Sequence, residues 1–113
     1  MRQTHRAAVW LLSMLLAVAP VRADHGEVVD GSATITHTDE HTVDVHQTSD
    51  SAVIHWRDFS IAVDELVRFQ QPGPEAVTLN QVTGSDPSNI FGQLVANGRV
   101  FIVNPNGVPF GPE

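Results

Sequence analysis

The sequence predicts an all-β fold, because short runs of alternating apolar and polar residues follow one another along most of the chain. Clusters of Asn, Gly, Pro, Ser and Asp separate these runs at intervals of roughly 8 to 15 residues, which is typical of turns between short strands. The chain has 113 residues and no cysteine, so it allows one small domain without disulfides. Many short strands in such a domain fit either a β-sandwich or a solenoid built coil by coil.

The first 23 residues have the pattern of a secretory signal peptide. Arg2 and Arg6 form a positive start, an apolar run extends from residue 7 to residue 19, and Ala23 ends a small-residue cleavage pattern. The apolar run is shorter than the roughly 20 residues of a membrane-spanning helix, which favours cleavage after Ala23 over a membrane anchor. The chain from residue 24 onward has three arginines, no lysine and all 13 acidic residues. Its net charge of about −10 disfavours nucleic acid and anionic lipid as partners.

The elements after the signal peptide begin with an acidic, glycine-containing segment, residues 24–33, which predicts a flexible leader. Strand patterns follow from Thr34 onward, centred on alternating or closely spaced apolar residues: Ile35, Val43, Val45, Ile54, Trp56, Phe59, Ile61, Val67, Phe69, Val77 and Leu79. Turn clusters separate them at residues 48–51, 71–74 and 84–88. An alternative for the last cluster is one helical turn that begins at Asp86 and places Ile90 and Leu94 on a common face.

The segment 92–111 carries the strongest local signals of the chain. The apolar run Val100–Val103 lies between two turn signals, of which Asn97-Gly98 is the first and tolerates positive φ angles. The second combines a proline, at the second turn position, with Asn-Gly behind it, and consists of Asn104, Pro105, Asn106 and Gly107. The segment therefore predicts a strand, a turn and the start of another strand.

These segments resemble the N-terminal secretion domain of the large exoproteins of bacterial two-partner secretion, the filamentous-haemagglutinin type. In that family an Asn-Pro-Asn-Gly turn follows an Ala-Asn-Gly-x-Val-Phe strand, as it does at residues 96–107. The resemblance covers about residues 31–111 and includes, in the same order and spacing, residues 53–62, 67–72 and 76–92. It implies a right-handed parallel β-helix, with residues 34–113 as its N-terminal cap and first coils. On that fold the side chains expected to point inward or to cover the capped end are Trp56, Phe59, Ile61, Phe69, Leu79, Leu94, Phe101 and Val103.

The function that the resemblance implies is export. The domain would be the secretion and targeting module of a large adhesin or haemagglutinin, secreted or held at the surface of a Gram-negative bacterium. Its partner would be an outer-membrane two-partner secretion transporter, whose periplasmic domains bind the chain in an extended state by strand addition. The residues implied in recognition and in nucleating the β-helix are Asn104, Pro105, Asn106 and Gly107, supported by Asn80 and the strand Val100–Val103. The alternative is that Asn104–Gly107 is only the turn that the fold requires.

Family domains continue well beyond the Asn-Pro-Asn-Gly turn, whereas this sequence stops at Glu113. We therefore expect a fragment or a truncated product, with any host-cell glycan or protein bound by regions further along. Pro109 stands where a strand residue would donate a ladder hydrogen bond, which weakens the expectation of a further coil. The alternative function is a small stand-alone exported protein that binds a glycan or a partner strand.

Neither a metal site nor an active site is predicted. His37, His41 and His46 lie close in sequence, but strand residues four apart are separated by about 13 Å, too far for one ion. Four acidic residues invite a catalytic interpretation, but nothing in the sequence fixes two of them at a common site: Asp58, Asp64, Glu65 and Asp86. Asp58 and Asp86 also have simple turn or capping explanations. We therefore expect no cofactor and no enzymatic activity.

Overall fold

A computed structural model describes residue 23 and residues 26–111, which form eight strands. The strands are β1 (Glu27–Asp30), β2 (Ala33–Asp39), β3 (Thr42–Gln47), β4 (Ser51–Trp56), β5 (Leu66–Gln70), β6 (Val77–Val82), β7 (Gln93–Ala96) and β8 (Arg99–Val103). The described residues contain no helix, so none of them forms a helical membrane span, and the all-β prediction is confirmed. Most of the predicted signal peptide lies outside the described residues. Ala23 itself is buried against the core.

Two mixed four-stranded sheets contain all eight strands. The first sheet has the order β1-β4-β6-β8 and the second has the order β2-β3-β5-β7. The pairs β1/β4 and β2/β3 are antiparallel, whereas the other four pairs are parallel. Beside the two sheets, isolated parallel bridges form a third column of backbone pairing, in which Ile61 pairs with Ile90 and Ile90 pairs with Phe110.

The parallel pairings stack the chain in three layers. We call residues 42–61 the first layer, residues 66–90 the second layer and residues 93–110 the third layer. Each layer contributes one strand to each sheet and one residue to the column of bridges. A side chain can therefore touch the equivalent position of the layer before it and the layer after it.

Alternate residues of the strands point into the space between the two sheets. Inward residues of the first two layers are buried, the largest being Trp56 and Phe59, whose rings meet edge to face at a centroid distance of 5.1 Å. Each such side chain contributes roughly 1.5 to 3 kcal/mol when it is removed from water. The inward apolar residues of the third layer are only partly buried and pack against this core: Leu94, Val100, Ile102 and Val108.

The N-terminal segment closes the first layer. The backbone of Gly26 packs closely against the indole ring of Trp56. A Cβ atom at residue 26 would be only 2.6 Å from Cζ3 of that ring. Val28, Ala33 and Ile35 pack against the same end of the core. Residues 26–33, expected to be part of a flexible leader, thus include a strand paired with β4 and make apolar contacts. The structure corrects that expectation for these residues, whereas residues 24 and 25 lie outside the described ones.

The predicted inward positions of β8 are wrong by one residue. Phe101 and Val103 are 52% and 49% exposed, and they lie on the outer face of the first sheet. Leu79, which pairs with Phe101, also alternates with the buried residues of β6 and faces outward. The inward residues of β8 are Val100 and Ile102. The reason is that the register with β6 aligns these two with the buried side chains Thr78 and Asn80.

The alternative helical turn at Asp86 is absent. The backbone N–H groups of Ser88 and Ile90 donate to carbonyls of the third layer, at Gly107 and Pro109, each at 2.9 Å. Donors used between layers are not available for a helix. Pro109 is tolerated in the third layer because its carbonyl, and not its missing N–H, faces Ile90.

Candidate functional site

The candidate site is the turn that follows β8, residues 104–107. Oδ1 of Asn104 accepts hydrogen bonds from the backbone N–H of Asn106 at 2.9 Å and from its side-chain amide at 3.0 Å. The N–H of Gly107 donates to the carbonyl of Asn104 at 3.0 Å. Gly107 has φ +109°, which favours glycine, and Pro105 has a preset φ angle. The four residues thus form a tight turn stabilised by their own side chains.

The same turn is hydrogen-bonded to the second layer. Nδ2 of Asn104 donates to the carbonyl of Asp86 at 3.0 Å and to the hydroxyl of Ser88 at 2.9 Å. Nδ2 of Asn106 donates to the carbonyl of Gly84 at 3.0 Å, and the N–H of Ser88 donates to the carbonyl of Gly107. Both side-chain amides of the turn therefore point toward the preceding layer. Gly84 and Ser88 belong to the site, although the sequence marked them only as members of a turn cluster.

The loop beneath the turn, residues 84–88, rests in the same way on the first layer. The N–H of Gly84 donates to the carbonyl of Arg57 at 3.1 Å, and a Cβ atom on this glycine would be 2.3 Å from that oxygen. The N–H of Asn89 donates to the hydroxyl of Ser60 at 2.9 Å. Glycine is required at residue 84 because the two backbones approach each other so closely.

Asn80 lies inside the domain and links all three layers. Its side chain is fully buried. Oδ1 accepts a hydrogen bond from Nε1 of Trp56 at 2.8 Å, and Nδ2 donates to the carbonyl of Phe101 at 3.2 Å. In the folded domain, Asn80 thus orients the indole ring and β8.

Asn97 and Gly98 form the bend between β7 and β8. The side-chain amide of Asn97 bonds both backbone groups of Gln71, accepting from its N–H at 2.7 Å and donating to its carbonyl at 2.8 Å. The sequence suggested glycine at residue 98 because it tolerates positive φ, but the described glycines with positive φ are Gly31, Gly107 and Gly111. Gly98 is needed for space instead, since a Cβ atom would be 2.8 Å from Oε1 of Gln71.

A ladder of buried polar side chains runs beside the bend. The hydroxyl of Thr78 donates to Oε1 of Gln47. Nε2 of Gln71 donates to that hydroxyl and to the carbonyl of Arg99, each at 3.0 Å. Oε1 of Gln71 is buried without a hydrogen-bond partner among the described residues. Gln47, Thr78 and Gln71 thereby connect the three layers through the interior.

The outer face of the second sheet carries the main electrostatic feature of the described residues. Nε of Arg68 on β5 donates to Oδ1 of Asp44 on β3 at 2.6 Å, and Thr38 on β2 donates to the other carboxylate oxygen. The Arg68 guanidinium, followed by the Thr38 hydroxyl, lowers the pKa of Asp44 to about 2, and the same carboxylate raises the pKa of Arg68. This network supports the sheet and does not include the Asn104–Gly107 turn.

Other candidate groups remain dispersed or superficial. Within residues 26–111, no group of three or more His, Asp or Glu side chains is arranged to hold a metal ion. Nε2 of His41 instead lies 3.3 Å from Oδ2 of Asp64. The structure does bring Asp58 and Asp86 to the lining of one open cavity of about 340 Å³, a proximity that the sequence did not predict.

Stacked layers with an Asn-Pro-Asn-Gly turn bonded to the layer beneath agree with the resemblance that the sequence motifs indicated. The family model of the TPS secretion domain matches residues 19–113, so the chain belongs to the family of two-partner secretion domains. This confirms the family that the sequence motifs indicated. Such domains form part of large exoproteins.

The comparisons with individual proteins agree with the family. The chain is 41% identical over 92 residues to a heme/hemopexin-binding protein of Haemophilus influenzae, covering 81% of this chain and 10% of the relative. A second heme/hemopexin-binding protein, from strain Rd of that species, is 40% identical over 81 residues, covering 72% and 9%. The crystal structure of the HMW1 secretion domain from Haemophilus influenzae superposes with a TM-score of 0.74 at 34% identity, covering 80% of this chain and 24% of that chain. The chain thus spans about a tenth of the length of the curated relatives that it matches.

Proposed function

We propose that this domain directs a large exoprotein to an outer-membrane two-partner secretion transporter, whose periplasmic domains bind it before it folds. The exoprotein would pass through the periplasm of a Gram-negative bacterium and reach the cell surface or the medium. Family membership and the similarity to the HMW1 secretion domain support this proposal. We propose further that the three layers are the first coils of a right-handed parallel β-helix, supported by the four parallel strand pairs and the third column of bridges.

The observation that carries the proposal is the double role of the Asn104–Gly107 turn. Its amides stabilise the turn itself and also bond the preceding layer at Gly84, Asp86 and Ser88. A motif with both roles links the end of β8 to the packing of the third layer on the second layer. We therefore assign Asn104, Pro105, Asn106 and Gly107 to export, with Asn80 and the strand Val100–Val103 in support. An extended strand of this kind is a substrate for strand addition by a partner, since backbone groups provide the affinity and alternate side chains the selectivity.

We propose no catalytic role for this domain. The relatives named for binding heme and hemopexin are about ten times as long as the matched segment. Binding of a host-cell protein or glycan is accordingly assigned to other parts of such an exoprotein.

The test is export of the full-length exoprotein together with its transporter, measured as the amounts in the medium and in the periplasm. We expect the double variant Asn104→Ala and Asn106→Ala to lower the amount in the medium by about tenfold or more, while delivery to the periplasm is unchanged. Gln93→Ala is the matched control, because it removes an exposed amide from the same layer. Export of the double variant at the level of the control would show that the turn has no role in secretion.

A further inference from the structure

We propose that Ser88 is the positioning residue of the Asn104–Gly107 turn, and that this turn acts in export as a folded unit and not as a sequence recognised in the extended chain. The inference rests on the proposed role of the turn in secretion and specifies how the turn performs it. Neither the motif nor its spacing identified Ser88.

Ser88 holds both ends of the turn. Its hydroxyl accepts a hydrogen bond from Nδ2 of Asn104, the first residue of the turn, at 2.9 Å. Its backbone N–H donates to the carbonyl of Gly107, the last residue, also at 2.9 Å. One residue thereby fixes the position at which the chain enters the turn and the position at which it leaves.

The burial of Ser88 favours the hydrogen bond between its hydroxyl and Asn104 over a hydrogen bond to water. The residue is fully buried, so water does not compete for the hydroxyl as it would at the surface. Without the hydroxyl, Nδ2 of Asn104 would keep only the carbonyl of Asp86 as a partner. Alanine is close to serine in volume, so Ser88→Ala removes the acceptor and leaves the packing nearly unchanged.

The support beneath Ser88 does not depend on contacts with the third layer. Gly84 is bonded to Arg57, and Asn89 is bonded to Ser60, both in the first layer. These contacts involve only the first two layers, so they shape residues 84–88 independently of the turn. The loop serves as a template on which the turn is placed.

Because Ser88 and Asn104 are distant in sequence, a variant of Ser88 can distinguish recognition of the folded turn from recognition of the extended sequence. Ser88 and Asn104 are 16 residues apart, and their contact exists only in the folded domain. Ser88→Ala leaves the Asn-Pro-Asn-Gly sequence intact, so a partner that recognises this sequence in an extended chain would bind the variant normally. Only a role of the folded turn makes export depend on the hydroxyl.

The experiment compares export of the full-length exoprotein carrying Ser88→Ala, Asn104→Ala, or both, in cells that contain the transporter. We expect Ser88→Ala to lower the amount in the medium severalfold and Asn104→Ala to lower it further, because the first removes one hydrogen bond and the second removes four. The double variant should be no lower than Asn104→Ala alone. Ser85→Ala, an exposed serine in the same loop, is the control and should export normally. A core variant of the first layer, Val45→Ala, destabilises the domain without contacting the turn and should remain within about twofold of wild type.

A second pair of variants isolates the hydroxyl from packing. Ser88→Thr and Ser88→Val add nearly the same volume, but only threonine keeps the acceptor. We expect severalfold more export with threonine than with valine.

Three results would overturn the inference. Normal export of Ser88→Ala beside blocked export of Asn104→Ala would mean that the motif is recognised as a sequence, and the proposed role in secretion would stand. Equal export of the threonine and valine variants, or a block by Val45→Ala as strong as that by Ser88→Ala, would reduce Ser88 to a packing residue. Normal export of Asn104→Ala would instead refute the proposed function on which the inference rests.

Discussion

Replacing Asn80 by alanine should destabilise the domain strongly, because the substitution removes two hydrogen bonds from the interior. The substitution leaves the Nε1–H of Trp56 buried without its acceptor, which costs about 1 to 3 kcal/mol. The lost hydrogen bond to the carbonyl of Phe101 adds about 0.5 to 1.5 kcal/mol. We therefore expect the free energy of unfolding to fall by about 2 to 4 kcal/mol, a large part of the roughly 5 to 15 kcal/mol of a typical domain.

The assay is urea unfolding of the full chain followed by circular dichroism, in the wild-type and Trp56→Phe backgrounds. Phenylalanine has no N–H group, so Asn80→Ala should be less damaging in that background by about 1 kcal/mol or more. A loss below 1 kcal/mol in the wild type, or an equal loss in both backgrounds, would refute the assigned hydrogen bond as the source of the effect.

Three further predictions concern other parts of the described structure. Because the pKa of Asp44 is lowered to about 2 in the folded state, its contribution to stability is complete above pH 4 and disappears as the pH falls from about 4 to 2; unfolding midpoints measured over this range should fall less steeply for Asp44→Asn than for wild type. Gly98→Ala should cost about 1 to 3 kcal/mol in urea unfolding because its Cβ atom would be 2.8 Å from two oxygen atoms, whereas Gly73→Ala meets no atom within 4 Å and should be nearly neutral. Ile102→Ala should lower the free energy of unfolding by about 2 kcal/mol and Phe101→Ala by less than 1 kcal/mol, because Ile102 packs against the core and Phe101 is exposed. The reverse order in thermal or urea unfolding would support the inward-facing Phe101 that was expected from the sequence.

Strands with clear alternation could be predicted from the sequence. In β3 and β5, apolar residues at every second position match the buried positions Val43, Val45, Val67 and Phe69. The pairing of these strands could not be read in the same way. Parallel neighbours in this fold are separated by a whole layer, so their register depends on contacts that no local pattern contains.

The orientation of β8 shows where the alternation signal fails. Val100 to Val103 are all apolar, so the run contains no contrast from which an inner and an outer face could be assigned. The structure decides the orientation through β6, whose buried Thr78 and Asn80 face Val100 and Ile102. Buried polar side chains are less common in a core than apolar ones, so a large aromatic residue such as Phe101 is the more expected interior side chain.

The candidate site was only half visible in the sequence. Asn104–Gly107 has a local signature, because proline and glycine restrict or permit particular backbone angles within four residues. Ser88 has no such signature, since its role depends on a partner in the next layer. The packing of residues 26–33 has no local signature either, because an acidic segment with glycine gives no sign that Gly26 fits against an indole ring.

The buried ladder of Gln47, Thr78 and Gln71 makes the alignment of the layers selective. A purely aliphatic interior tolerates a layer shifted by two residues, because one apolar side chain replaces another on the same face. Here the same shift would separate three buried polar side chains from their partners, at about 1 to 3 kcal/mol for each. A chain without cysteine has no disulfide to fix its alignment. The hydrogen bonds of Gln47, Thr78 and Gln71 therefore favour the observed alignment of the layers over an alignment shifted by two residues.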